Sequence, residues 1–346
     1  MEESISTVYS ESGHMARKSK TRKLTKAQRT FYVQMNTETT RYLDVGECLS
    51  IINRKLMSQS KCYGIESIEF DFFNTQQFVA IDAVRLQADV IPDNWVCQNA
   101  YVKSKALWNE MQQLVLHDNP SVAGKWHDFK IWMDAAHRAS YIASGALLPR
   151  TGDGTLYLPG EWTISNFVLP QHEVDPATGL PLAADTTQAH MLGADVGTPG
   201  AYLSVGLTEA YAESRALVRD GTPRVPAGFA DSFFNLLTDS GSQEPELAGT
   251  IEFENDDPPY DADAYPGAAG NAVGPVIGDM MGASSGAPNG ILGPFVAPCG
   301  LIKLTANGAK VAVDGTTTPV GGAEVMLKIT VMAGKYKGVA AIDMGQ

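Results

Sequence analysis

From Phe31 onward, apolar and polar positions alternate in short runs that are broken by glycine and proline. FYVQMNTETTRYLDV, starting at Phe31, is rich in aromatic and β-branched residues and predicts a strand. Glu47–Leu56 carries apolar residues at helical spacing and predicts a short helix. Residues 63–73 (YGIESIEFDFF) and 77–90 (QFVAIDAVRLQADV) read as two strands, with Asn74 and Thr75 as the hairpin turn between them. The best helix is Asn99–Leu116, with Val102, Leu107, Met111 and Leu114 at roughly helical spacing. Asn99 can cap it, and Asp118–Asn119–Pro120 ends it. Residues 124–137 (GKWHDFKIWMDAAH) alternate strictly over 129–133 and predict a strand with one polar face.

After Ser144 the runs shorten. Strands are predicted at 161–170 and 188–197, short helices at 207–217 and 229–237, and another strand at 247–256. An acidic loop, DDPPYDADAYPGAAG, and the segment 275–282 (PVIGDMMG) follow. The clearest late strands are 293–306 and 323–334, with a turn-rich hairpin region, GAKVAVDGTTTPVGG, between them. The count is nine or ten strands, unevenly spaced, with about four helices in long connections. Regular βαβ alternation is missing, which argues against a doubly wound sheet and for an all-β antiparallel sandwich with helical and loop insertions. An eight-stranded jelly roll fits this pattern, and the pattern alone leaves other β-sandwiches open. No repeat of 20–50 residues is visible.

Charge changes the picture at the N-terminus. Residues 16–29, ARKSKTRKLTKAQR, carry Arg17, Lys18, Lys20, Arg22, Lys23, Lys26 and Arg29 and no acid. With Leu24 as the one large apolar residue, this arm cannot bury enough surface to offset the entropy of ordering. The expected division is a disordered extension with a basic arm at 1–30 and a body at 31–346. Met15, directly before the arm, is an alternative start. The whole chain has a net charge of −13, yet residues 1–150 hold 18 Lys+Arg against 16 Asp+Glu, and residues 151–346 hold 8 against 23. Nine acids and no cation lie between Asp239 and Asp263. Such segregation predicts two faces that meet different partners.

Candidate chemistry is sparse. The 346 residues contain no apolar run near the ~20 needed for a membrane span, and the N-terminus has no apolar signal region. Cys48, Cys62, Cys97 and Cys299 form no CxxC pair, which argues against zinc and fits unpaired thiols. His127, His137 and His172 lack metal-binding spacing and read as surface or hydrogen-bonded histidines. Ser214 has no visible base, and Gly282–Gly286 (GASSG) reads as a turn rather than a phosphate loop. Asp256, Asp257, Asp261 and Asp263 could offer oxygens to Ca²⁺ but lack an EF-hand register. No enzyme signature and no cofactor is expected. The arm is left as the functional feature, a neutralising tail for nucleic acid whose cations release counterions from phosphates.

Taken together, residues 16–56, NWVCQNAYVKSKALW, GKWHDFKIWMDAAH and LTEAYAESRAL resemble the capsid proteins of small circular, Rep-encoding single-stranded DNA viruses. The resemblance is strongest over residues 16–140 and weakens after about residue 240. It implies a jelly-roll subunit of an icosahedral shell, expected to hold 60 copies, with the arm inside on a packaged circular single strand. A virion location, a nuclear stage during assembly and an unidentified host attachment factor follow from the same resemblance. The arm is short beside the longer Arg-rich arms of related capsids. The competing expectation is a cellular β-sandwich module for a carbohydrate or protein ligand with a nuclear-import tail. Its aromatic platform would be Trp126, Trp132 and Trp162, whose other role is packing.

Overall fold

The computed structural model describes residues 26–72, 81–169, 185–198, 201–215 and 274–345. In chain order these form β1 (Thr30–Asn36), β2 (Thr39–Asp44), α1 (Val45–Asn53), β3 (Lys61–Asp71), β4 (Ala83–Val90), α2 (Trp95–Asp118), β5 (Trp132–Asp134) and α3 (Ala135–Ser144). Then come β6 (Phe167–Leu169), β7 (Asp185–Leu192), β8 (Val196–Thr198), β9 (Ala201–Gly206), α4 (Leu207–Arg215), β10 (Val276–Ser284), β11 (Asn289–Leu292) and β12 (Phe295–Ala297). The last strands are β13 (Leu301–Val311), β14 (Thr317–Pro319), β15 (Glu324–Val331), β16 (Ala333–Tyr336) and β17 (Ala341–Asp343).

Two antiparallel sheets make an all-β sandwich. One runs β1-β15-β3-β11, with β12 and β17 also on β3. The other runs β10-β4-β13-β14, with β2 also on β13. Alternation drives the pairing. β15 buries Val325, Leu327, Ile329 and Val331, and its registers set Val325, Leu327 and Ile329 opposite Met35, Val33 and Phe31 of β1. In the second sheet Leu86, Ala88 and Val90 of β4 lie opposite Ala306, Leu304 and Ile302 of β13. The inward rows of both sheets merge into one apolar core, and each fully buried side chain there contributes roughly 1.5–3 kcal/mol.

The strand pairs are nested. β1 pairs with β15, β2 with β13, β3 with β11 and β12, and β4 with β10. Corners carry the chain between sheets. At Glu38, φ is +57°, and the amides of Thr37 and Glu38 donate to Ala323 and Ala306. The predicted strand starting at Phe31 is therefore two strands in opposite sheets. The predicted strand 293–306 is likewise split into β12 and β13, by Pro298 and by positive φ at Cys299 and Gly300.

The predicted hairpin between 63–73 and 77–90 is not formed, because β3 and β4 lie in opposite sheets; Asn74 and Thr75 fall outside the described residues. Residues 125–131 carry no strand, and only β5 remains of the predicted strand at 124–137. Asp134 ends it, since its side chain accepts from the His137 amide and starts α3. The long helix α2 begins earlier than expected, capped by Asn94 rather than Asn99. It turns Val96, Cys97, Ala100, Tyr101 and Trp108 inward, while Val102, Leu107 and Leu114 are exposed. The sequences predicted as a helix at 229–237 and a strand at 247–256 lie outside the described residues, as does the acidic 239–263 segment.

The stretch between β4 and β10 builds a third sheet, β5-β7-β9-β8, with β6 on β7. Its β5·β7 and β7·β9 pairs are parallel, a departure from the wholly antiparallel expectation. With α2 and α4 it closes a second core around Tyr101, Phe129, Ile131 and Met191. All four cysteines are free and buried.

Candidate nucleic-acid interface

The arm enters the body at residues 26–29. Ala27 packs against the sandwich core. The Gln28 amide donates to Asn53 Oδ1 at 2.8 Å, and Asn53 Nδ2 donates back to the Gln28 carbonyl at 2.9 Å. The Arg29 guanidinium donates to Glu66 at 3.0 Å and to the Val331 carbonyl at 2.7 Å. Lys26 is exposed, and its carbonyl accepts from Lys55 Nζ at 3.1 Å. Arg17, Lys18, Lys20, Arg22 and Lys23 lie outside the described residues.

Around this root the fold gathers cations that are scattered in sequence. α1 ends at Arg54, in the left-handed region at φ +50°, and this brings Arg54 and Lys55 beside the arm. Lys337 and Gly338, both with positive φ, form the tip between Tyr336 and Val339, whose bridge closes a tight hairpin. Lys61 on β3 and Lys337 stand over the Tyr336 ring, 4.7 and 5.2 Å from its centroid. Lys61 also pairs with Asp343, and Lys337 donates to the Leu56 carbonyl. Partial burial pulls the Lys337 ammonium below its usual range; Asp128 opposes this, and the nearby charges of Lys61 and Lys55 add to it. Mutual repulsion among lysines is what a bound anion relieves. Tyr336 is held from behind, its hydroxyl accepting from the Ser58 amide at 3.0 Å. Cations and aromatic faces are the kinds of group that sequence-tolerant single-strand binding uses.

Other candidates resolve into structural roles. His137 is buried, stacked on Tyr42 at 4.4 Å, and accepts from the Met133 amide; burial pushes its pKa down to about 3, so it is neutral. His127 is exposed, and His172 and Ser214 lack described side chains. Gly282–Gly286 form the end of β10 and the turn after it. The buried His190, unremarked in the sequence, bonds Ser204 Oγ at 2.7 Å and the Ala194 carbonyl at 3.0 Å. Neither His190 nor Ser204 is exposed to solvent. The three tryptophans do not share one face. Trp132 is buried and donates to Gln188, whereas Trp126 and Trp162 pair at 5.8 Å beneath Lys130 Nζ. Among the described residues no group of three or more His, Cys, Asp or Glu is placed to hold a metal ion, and no helix is long and apolar enough to cross a membrane.

Comparison with protein families, curated proteins and solved structures finds no match to this chain.

Proposed function

We propose that this chain is the capsid subunit of a small circular single-stranded DNA virus, a jelly roll that self-assembles into a closed shell and holds its genome through the basic arm. The observation that carries the reading is the nested strand pairing with the arm rooted beside it. Eight strands paired first with last, second with seventh, third with sixth and fourth with fifth are what a long antiparallel ribbon produces when it folds over into two Greek keys. Here the eight are β1, β2, β3, β4, β10, β11 with β12, β13 and β15. The fasteners at Ala27, Gln28 and Arg29 fit an arm that leaves the sandwich at a fixed point, and Lys55, Lys61 and Lys337 extend its charge onto the body.

Self-association is supported by exposed apolar residues. Val102, Leu107, Leu114 and Val115 lie outward on α2, and Val276, Ile277, Met280 and Met281 lie on the edge strand β10. Apolar exposure at an edge strand invites a partner. The test is nuclease protection. DNA that sediments with the purified protein survives nuclease on this reading; complete digestion, or protein free of nucleic acid, overturns it.

A further inference from the structure

A small cavity between α1 and α3 is lined by none of the arm-root residues. Its volume is about 20 Å³, room for one water-sized group. Tyr42, Trp132, His137 and Trp162 give it aromatic walls, and Asp44 and Glu47 give it two carboxyls. Asp44 is fully engaged. Its Oδ1 accepts from the Glu47 amide at 3.1 Å, and its Oδ2 accepts from Gln59 at 2.9 Å and Trp162 at 3.1 Å.

Glu47 is different. It is only 7% exposed, and its carboxyl makes no hydrogen bond among the described residues. Asp44 and Glu47 have the spacing of a capping box, in which the glutamate would bond the amide of the capping residue. Asp44 lies instead at the end of β2, in register with Leu301 of β13, and the Glu47 carboxyl is left to line the cavity. Its carboxyl oxygens are not sealed off from solvent, so whatever fills the cavity is the partner that the protein does not supply.

The surroundings favour a monovalent cation. The two carboxyls are faced by one cation, Lys130, so with both ionised a net negative charge remains. Aromatic faces attract ammonium groups. The C-terminal turn of α3, with Ser140, Tyr141 and Gly145 on the cavity wall, adds the negative end of a helix dipole. We propose that this cavity seats the ammonium group of a primary amine, with Glu47 as its carboxylate partner and the tryptophan rings as walls.

Occupancy is coupled to a proton. Burial, and then the charge of Asp44, raise the Glu47 pKa to about 8, so the empty site is protonated at neutral pH. Seating R–NH3⁺ ionises Glu47 and releases one H⁺ to solvent. Asp44 and Glu47 titrate as a pair, so the proton released belongs to both, whereas His137 stays neutral near pH 7. Asp44 titrates at about 6 and His137 at about 3. Tyr42 is pushed up by burial and by Asp134, and Lys130, though lowered by burial, has Asp128 and Glu161 nearby.

The test titrates the full chain with methylammonium chloride at pH 7 in weak buffer, against sodium chloride at equal ionic strength. The expected result is saturable tryptophan quenching with close to one proton released per amine bound, and loss of both in Glu47→Gln at unchanged circular dichroism. A tryptophan change that appears on concentrating the protein without amine, and that Glu47→Gln abolishes, assigns the ammonium group to a lysine of a second copy. Equal responses to sodium, binding without proton release, or wild-type binding by Glu47→Gln overturns the proposal. Should Glu47→Gln fail to fold, proton release by the wild type decides alone.

Discussion

Lys26 and Arg29 stand three residues apart and meet different partners. Arg29 is spent on Glu66 and the Val331 carbonyl, whereas Lys26 faces solvent beside Lys55. Among the described residues, Lys26, Lys55 and Lys337 form no ion pair, unlike Arg29, and Lys55 and Lys337 donate only to the carbonyls of Lys26 and Leu56. Replacing Lys55 and Lys337 together by alanine should reduce the salt dependence of single-strand binding by about 1.4 in log–log slope, about 0.7 for each lost phosphate contact. Fluorescence anisotropy with an oligothymidylate across a salt series measures this, and an unchanged slope would remove both residues from the interface.

Glu47 supplies a second prediction at this scale. Its folded pKa of about 8 is above the ordinary 4.5, so the native state keeps a proton that the unfolded chain has lost. Stability therefore falls as pH rises from about 4.5 to about 8 and levels off above. Asp44, raised to about 6, adds the same sign over a lower window. Unfolding free energies from urea titrations in amine-free buffer at pH 5 and pH 8.5 should differ less for Glu47→Gln than for the wild type, by up to a few kcal/mol.

At the scale of elements, β15 is the central beam of its sheet, bonded to both β1 and β3 with four inward residues. Leu327→Ala should cost about 2–5 kcal/mol in chemical denaturation, because Leu327 is fully buried in the sandwich core. Strands such as β15 are legible because Val325, Leu327, Ile329 and Val331 repeat with period two. Which strand pairs with which is not, since alternation says nothing about the sheet a strand joins. That is why β3 and β4 read as a hairpin although they leave for opposite sheets. Local signals can also mislead. Phe129, Ile131 and Met133 alternate like a strand and all three point into the second core, yet the amides of Lys130, Ile131 and Met133 donate to the side chains of Ser165, Gln59 and His137 rather than to a neighbouring strand. On α2, one stripe of apolar residues is outward because the helix buries Cys97, Tyr101 and Trp108 instead. The seven cations of residues 16–29 are read directly from the sequence. The cluster of Lys61 and Lys337 at the Tyr336 ring, with Lys55 near Lys337, is not read there, because only the fold brings Lys61 and Lys337 to one aromatic ring.

At the scale of the whole molecule, the sandwich carries the root of the arm, and α2 and the edge strand β10 carry exposed apolar residues. Deleting residues 16–25, which spares the clamp between Gln28 and Asn53, should leave the unfolding midpoint unchanged and lower single-strand affinity. The remaining binding would come from the body patch. The most direct measurement of the central claim is negative-stain electron microscopy of the purified full chain over a range of salt. Uniform closed shells are the predicted result; dispersed monomers at every salt and concentration would contradict it.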